Sequence, residues 1–566
     1  MNRACIRRSE IASGGKLEFK IGDNQNKKWV DNPSIYEKML FLLIDLFKKN
    51  NMFKKAINQL LTVLFLTVFI GMECRAQEKP NVVIILADDM GYGDVSACNP
   101  TARIHTPNID KLASQGISFT DAHTAGALCT PSRYGLLTGR YFFRVPQQNI
   151  PFGFGSPLIE SGRKTIGSLL QKAGYTTACI GKWHLGLEWP LKDVSKPQIP
   201  NGNALGPTNT DFGGDIGRVP NTLGFDYSFI IPASLDMPPY VFVRNNHVVD
   251  PEIVLVNEIY PKTKPGTIAV WDRKYTGRDD IYWGRGVWWR NGEMSSSFRI
   301  ENCLDVIVNE GVSFIREQVA NNPDKPFMLY LPLTGPHTPW VPGEKFKGAT
   351  ELGTYGDFIS QIDNVVYRIT KTLESLNIDD NTLLIFTSDN GAHWSGYDKL
   401  TYAHQSNWGA RGQKGDIWNG GHHVPLFVKW PARINKAATC THTVGLVDII
   451  ATLADLTGQQ IDAHYAEDSY SFFHILNGSL QEPVRDHIIY YSAMGKLAVQ
   501  AGDWKYINFL GSGGFTQPSL LEPVKGGPMG QLYNLEQDPL EQNNLYLKEP
   551  EMVKKLTVLL DSLVNQ

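Results

Sequence analysis

The chain has 566 residues, with 54 Lys and Arg against 57 Asp and Glu, a formal charge of −3. That balance supplies no clustered basic excess for nucleic acid. With 42% hydrophobic and 20% charged residues the composition is that of a folded protein, not a disordered one. Length alone suggests about three domains at ~150 residues each, a soft prior for large α/β enzymes. A core of this size needs no disulfide staples.

From Met52 the chain reads M-F-K-K, then an apolar stretch over 60–71, then C-R-A before Gln77. A basic start, a short apolar centre and a small residue at the cut site are the pattern of a secretory signal peptide. The apolar run is shorter than the ~20 residues that span a bilayer. A lipid on Cys74 is disfavoured by Glu73. The reading is therefore a leader over 52–76 and a mature chain from about Gln77, secreted or periplasmic, with no stable membrane span. Residues 1–51 are then upstream sequence from a misplaced start codon. Without Cys5 and Cys74 the chain keeps Cys98, Cys129, Cys179, Cys303 and Cys440, an odd set that leaves at least one unpaired. No C-x-x-C spacing supports a zinc site built on cysteine.

Four short apolar runs follow, each ending in polar residues: 81–87 (N-V-V-I-I-L-A) before Asp88-Asp89, and 175–180 (Y-T-T-A-C-I) before Gly181-Lys182-Trp183-His184. The others are 327–333 (F-M-L-Y-L-P-L) before Thr334-Gly335-Pro336-His337, and 382–386 (T-L-L-I-F) before Thr387-Ser388-Asp389-Asn390. Continuous runs of this length predict strands buried on both faces. Helical patterns lie between them: one capped by Asn108 with Ile109, Leu112 and Ala113, one over 165–172 before Gly174, and a Val444, Val447, Ile450, Leu453 stripe closed by Gly458. Alternating strands and helices predict a large, mostly parallel sheet sandwiched by helices. Ligands bind such sheets beyond the strand carboxyl ends, so the four polar clusters are expected to converge.

Residues 190–320 are rich in Pro, Gly, Asn and aromatics and read as long excursions from the sheet. They carry Trp271, Tyr275, Tyr282, Trp283, Trp288 and Trp289, either a platform for sugar faces or a local hydrophobic mini-core. After about 460, short segments such as 487–491 and 504–509 predict a smaller C-terminal α+β subdomain with an antiparallel sheet. The expected division is a catalytic domain over 77–460 and that subdomain over 461–566.

Asp88, Asp89 and Asp389 with the amide oxygen of Asn390 make a hard, oxygen-rich set suited to calcium or magnesium rather than zinc or copper. The stretch C-T-P-S-R-Y-G-L-L-T-G-R over 129–140 resembles the signature of formylglycine-dependent sulfatases of the alkaline-phosphatase-like superfamily. The resemblance extends, in order, to A-D-D-M-G-Y-G-D, G-K-W-H-L-G, G-P-H-T-P, S-D-N-G and G-Q-K-G-D-I-W-N-G-G, and to L-Y-N-L-E-Q-D-P near the C-terminus.

The resemblance implies that a maturation enzyme oxidises Cys129 to formylglycine, whose hydrate attacks sulfur with one hydroxyl and expels sulfate through the other. It implies one calcium ion on Asp88, Asp89, modified Cys129, Asp389 and Asn390. Arg133 would hold the diol, and Lys182, His337 and Lys414 the sulfate. His184 would serve as base for elimination, and either His337 or Lys414 as acid for the leaving alcohol. Arg140 is expected to brace the turn after Cys129 through backbone carbonyls, and Trp183 to pack. Asp236 is assigned either to a sugar hydroxyl or to bracing its loop.

The expected activity is hydrolysis of sulfate monoesters on a carbohydrate. Its rivals are a phosphoester or phosphonate hydrolase on the same fold, and a non-enzymatic receptor that keeps the scaffold. The joint presence of Cys129, Arg133, Lys182, His184, His337 and Lys414 argues against the receptor.

Overall fold

Alternate side chains of the first predicted strand enter two different cores, which explains its unbroken apolar run. Val82, Ile84 and Leu86 belong to one core, Val83, Ile85 and Ala87 to the other, and all six are fully buried. At roughly 1.5–3 kcal/mol per fully buried aliphatic side chain, this strand has no stable alternative on the surface. The computed structural model describes residues 79–146, 148–199, 207–260, 290–461 and 465–565, with the isolated positions 42 and 55. The elements below all belong to the compact unit Lys79–Gln566.

The main sheet is built from β1 (Asn81–Asp88), β2 (Ile117–Phe119), β3 (Thr176–Lys182), β4 (Tyr227–Ile231), β5 (Val243–Arg244), β6 (His247–Val248), β7 (Phe327–Pro336), β8 (Thr382–Ser388), β9 (Leu426–Lys429) and β10 (Ala438–Cys440). Their order is β10-β2-β9-β8-β1-β7-β3-β4-β5-β6. The central pairs β8-β1, β1-β7, β7-β3 and β3-β4 are parallel, whereas β9 runs antiparallel to β8 and β2. The four expected strands are therefore adjacent and point the same way, with their carboxyl ends on one rim. Helices α1 (Pro107–Ser114), α2 (Cys129–Thr138), α3 (Ile166–Lys172), α4 (Cys303–Asn321), α5 (Gly353–Ser375) and α6 (Ile449–Thr457) flank the sheet.

A four-stranded antiparallel sheet follows: β11 (His487–Tyr491), β12 (Leu497–Ala501), β13 (Trp504–Ile507) and β14 (Gln531–Asn534), with α7 (Pro550–Val564). One face of this sheet takes Leu556, Leu560 and Leu563 of α7, a stripe at helical spacing. The other packs Tyr490, Ala498, Ile507 and Tyr533 on Ile417 and Trp418 of the main unit.

Several local expectations change. Asn108 does not cap α1: Pro107 occupies the first helical position. The backbone N–H and side-chain amide of Asn108 donate instead to Asp363, at 2.9 and 2.6 Å. Val444 pairs as strand with Ala122, and Val447 lies in a 3₁₀ turn, so only Ile450 and Leu453 of the stripe are in α6, which Gly458 closes at φ 67°. Residues 190–320 are not excursions throughout: β4 to β6 extend the main sheet and α4 covers it. These strands are too short to show a period in sequence. The strand expected over 504–509 ends at Ile507. The leader and upstream segment, apart from positions 42 and 55, and the aromatic group at 271–289 lie outside the described residues.

Candidate active site

The carboxyl ends of β1, β3, β7 and β8 meet the start of α2. Asp88 ends β1 and Asp89 follows at φ 67°, a left-handed turn that aspartate tolerates better than most residues. Asp389 and Asn390 follow β8. The Asp89 N–H donates to Asp389 Oδ1 (3.1 Å), and Asn390 Nδ2 donates to Asp89 Oδ1 (2.7 Å). Cys129 opens α2 and Arg133 lies one turn on, where i and i+4 share a face. Arg133 donates through Nε and Nη2 to Asp389 Oδ2 (2.9 and 2.8 Å) and through Nη1 to the Lys182 carbonyl (2.8 Å).

Lys182 Nζ contacts both Asp88 oxygens (2.8 and 2.6 Å), and Lys414 Nζ contacts Asp89 Oδ2 (2.7 Å). His337 Nε2 stands 3.8 Å from that oxygen. One potential ligand atom from each of Asp88, Asp89, Cys129 and His337 falls within 4.8 Å of the others. The structure thus gathers Asp88, Asp89, Cys129, Arg133, Lys182, His184, His337, Asp389, Asn390 and Lys414 at one rim, and all ten are buried.

Three buried carboxylates face three buried cations, Arg133, Lys182 and Lys414. Burial works to raise the Asp88 carboxyl, yet Lys182, His337, Arg133 and Lys414 hold it well below its ordinary range. Asp89 is likewise lowered against burial, chiefly by Lys414. Asp389 moves the other way, pushed up to about 7 by burial and by the charge of Asp88. The buried Asn390 Oδ1 accepts no hydrogen bond. A strained carboxylate beside an orphaned amide oxygen fits a hard cation, which would satisfy both.

Burial pushes the Cys129 thiol up to about 12 despite Lys182 and Lys414, so the unmodified side chain is no thiolate nucleophile. Burial, then Lys182 and Arg133, hold His184 well below its usual range; neither ring nitrogen has a hydrogen-bond partner. It is a neutral imidazole with a free lone pair, the state a general base requires.

Sequence reasoning gave no role to Ser234, whose Oγ lies 3.0 Å from His337 Nδ1 and 3.4 Å from Lys182 Nζ. A lone serine in a loop carries no local signal. It also passed over the role of Asp94, which accepts from Gly91 N (2.8 Å) and Tyr355 Oη (2.6 Å) and meets His404 Nε2 at 2.9 Å. This buried post braces the turn after Asp89. Asp236 Oδ2 is clasped by Arg290 (2.7 Å), while its Oδ1 lies 3.9 Å from His337 Nδ1. Arg140 does not hold backbone carbonyls: it pairs with Glu160 (2.6 Å), Glu467 (3.4 Å) and Tyr134 Oη (3.2 Å), because side-chain acceptors already surround it. Trp183 is buried and donates to the Gly186 carbonyl (3.0 Å).

A family model described as Sulfatase matches residues 80–459. The chain is 35% identical over 500 residues to an N-acetylgalactosamine-6-O-sulfatase of Bacteroides thetaiotaomicron, covering 86% of this chain and 93% of the relative. It is 28% identical over 441 residues to human arylsulfatase H, covering 73% and 75%. A solved structure described under metabolism of multiple glycosaminoglycans by Bacteroides thetaiotaomicron superposes with a TM-score of 0.71 at 34% identity, covering 87% of this chain and all of that one. Among the described residues no helix is long and apolar enough to cross a membrane.

Proposed function

This chain belongs to the sulfatase family and is a sulfuric ester hydrolase, and we propose that it is a secreted, calcium-dependent enzyme that removes sulfate from a sulfated carbohydrate. The observation that carries this reading is the placement of Cys129. It opens α2 between Lys182, Lys414 and the carboxylate cluster, beside a neutral His184 whose ring nitrogens have no partner. The N-acetylgalactosamine-6-O-sulfatase relative makes a 6-sulfated amino sugar the first substrate to test.

Asp88, Asp89, Asp389, Asn390 and residue 129 would hold the calcium. When present, the ion and a formylglycine made from Cys129 by a maturation enzyme supply fixed positive charge and a hydroxyl nucleophile in place of an inert thiol.

The chain's own groups then divide the work. Arg133 keeps Asp389 in place and its cation beside residue 129. Lys182 and Lys414 put positive charge where sulfate oxygens gain negative charge, each worth ~10²–10³ in rate. His337 or Lys414 gives a proton to the departing alcohol oxygen as the S–O bond to the sugar breaks. His184 would accept a proton from residue 129, the transfer that lets sulfate depart. Removal of water from all these groups strengthens each interaction.

We propose further that residues 52–76 are a cleaved leader with the mature chain beginning near Gln77, and that the catalytic and C-terminal parts meet near 460. N-terminal sequencing of secreted protein checks the first point: a start at Met1 overturns it. Peptide mass spectrometry of residue 129, with turnover of N-acetylgalactosamine 6-sulfate, checks the chemistry. Full activity with an intact thiol, or preference for phosphate or phosphonate esters, overturns it.

A further inference from the structure

The C-terminal sheet does more than cover the main unit: the loop between β13 and β14 reaches the rim of the active site. Ile417 N donates to the Ser512 carbonyl (2.8 Å) and Thr516 N to Asp416 Oδ1 (3.0 Å), while Ala493 N donates to the Gly415 carbonyl (2.8 Å). Gly415 N in turn donates to the Ala127 carbonyl (2.7 Å), two residues before Cys129. The β13–β14 loop is therefore bonded to Asp416 and Ile417, and Ala493 of the β11–β12 loop to Gly415, whose own N–H is tied to the segment that presents Cys129.

Gly415 has φ +86°, and a Cβ there would stand 3.3 Å from both Phe515 Cγ and Ala493 Cβ. The Phe515 ring thus rests on bare backbone next to Lys414. It is held, yet 45% exposed. Its ring meets that of His393 at 5.6 Å and 63°. His393 adjoins the lysine loop, since Lys414 N donates to the Ala392 carbonyl (3.1 Å). The His393 ring is only partly buried and has no hydrogen-bond partner among the described residues. Burial and Lys414 push it down to about 4, which leaves one donor and one acceptor nitrogen at neutral pH.

We propose that His393 and Phe515 form the sugar-recognition subsite of this active site, Phe515 stacking on the C–H face of the sulfated sugar and His393 hydrogen-bonding one of its hydroxyls. The negative face of an aromatic ring suits the weakly positive C–H edges of a pyranose, and a donor–acceptor imidazole suits a hydroxyl, which is both. An aryl or steroid sulfate offers His393 no such hydroxyl. The few polar groups on a mostly apolar wall are what orient a ligand. The two residues come from different parts of the fold, so the C-terminal sheet becomes a source of specificity. This inference rests on the sulfatase reading and deepens it.

The test compares Phe515→Ala, His393→Ala and His393→Gln in matured, calcium-loaded protein. The substrates are N-acetylgalactosamine 6-sulfate and 4-nitrophenyl sulfate. The ratio of kcat/KM for the sugar over the aryl ester is expected to fall at least about 30-fold in both alanine variants, mainly through KM, with His393→Gln recovering part of it. Equal losses on the two esters, or an unaltered ratio, overturn the subsite. Calorimetry of N-acetylgalactosamine 6-sulfate with Cys129→Ala protein, with and without Phe515→Ala, measures binding free of turnover; at least about tenfold weaker binding is expected. Unchanged binding, or none in the protein with Phe515 intact, overturns the subsite. Absence of turnover of both esters by the parent enzyme with this binding intact overturns the sulfatase chemistry and leaves the subsite standing.

Discussion

Two of the buried polar clusters among the described residues differ in how completely their groups are paired. The first is the Asp88, Asp89, Asp389, Cys129, His184 set at the strand ends. The second joins the main unit to the C-terminal sheet. There His123 Nε2 meets Asp121 (2.9 Å), His123 Nδ1 meets His422 Nδ1 (3.0 Å), and Lys505 Nζ reaches His422 Nε2 (3.1 Å), Asn419 Oδ1 (2.9 Å) and Glu541 (2.7 Å). Tyr490 stacks on His422 at 3.8 Å. In this second cluster each ring nitrogen and each charge has a partner. In the first, His184 and Asn390 Oδ1 have none and Asp389 sits far from its usual pKa. Burial of charge is common to both; incomplete pairing is what marks the reactive one.

The comparison breaks most visibly at Cys129. Cys129→Ala is expected to lower turnover of sulfated sugar by at least about 10⁴-fold and to change thermal stability little, since a small buried side chain is exchanged for a smaller one. A variant that keeps more than a hundredth of the activity contradicts the assigned nucleophile. Asp389→Ala follows, with a loss of ~10³-fold and weakened calcium binding by calorimetry. It also leaves Arg133 with Asp88 (3.3 Å) as its remaining counter-charge, which costs about 3 kcal/mol of stability; calcium binding equal to the parent's would remove Asp389 from the ligand set.

His184→Ala tests the orphaned imidazole and is expected to slow turnover ~10²-fold. In a rapid-quench mass spectrum, residue 129 should then retain substrate-derived sulfate, because attack proceeds and release stalls. Retained sulfate in His337→Ala or Lys414→Ala instead would reassign the base.

The fully paired cluster should behave in the opposite sense. Glu541→Gln is expected to cost about 3 kcal/mol by leaving Lys505 without its counter-charge, read as a fall of several degrees in Tm, with kcat close to the parent's. A large kcat loss without destabilisation would erase the distinction between the clusters. The smallest effect is that of pH. Burial, then Lys505, holds His422 well below the usual histidine range, and burial, then Lys182, does so for His184. At each of these rings the folded state then binds fewer protons than the unfolded chain below pH ~6.5, which lowers stability by about 1–2 kcal/mol as pH drops from 7 to 5; Asp389, pushed up to about 7, takes up its proton in the folded state over the same window and offsets about one of the two. Asp88 and Asp89, lowered instead, keep their contribution in that window. The midpoint shift between pH 7 and pH 5 is expected to shrink in His422→Gln; a shift equal to the parent's would show that the His422 ring is charged in the native state.

What was legible in sequence is what local pattern encodes. The runs before Asp88, Lys182, His337 and Asp389 read as strands because strands buried on both faces cannot contain polar interruptions. The helical pattern over 165–172 became α3, and Gly458 marked the end of α6 through capping chemistry that needs only neighbours in the chain. The resemblance around Cys129 singled out, before any geometry was known, residues that the structure brings to one rim. Tertiary structure alone decided which groups finish each other's pairing. Arg133 finds Asp389 across 256 residues, Asn108 turns to Asp363 across 255, and Val444 leaves its helical stripe to pair with Ala122. It also decided that Phe515 rests on Gly415 beside His393, while Asn390 Oδ1 and the His184 ring stay unpartnered. Such outcomes depend on how parallel crossovers bring distant loops to one rim, and the energy of a contact between distant loops leaves no period in the chain.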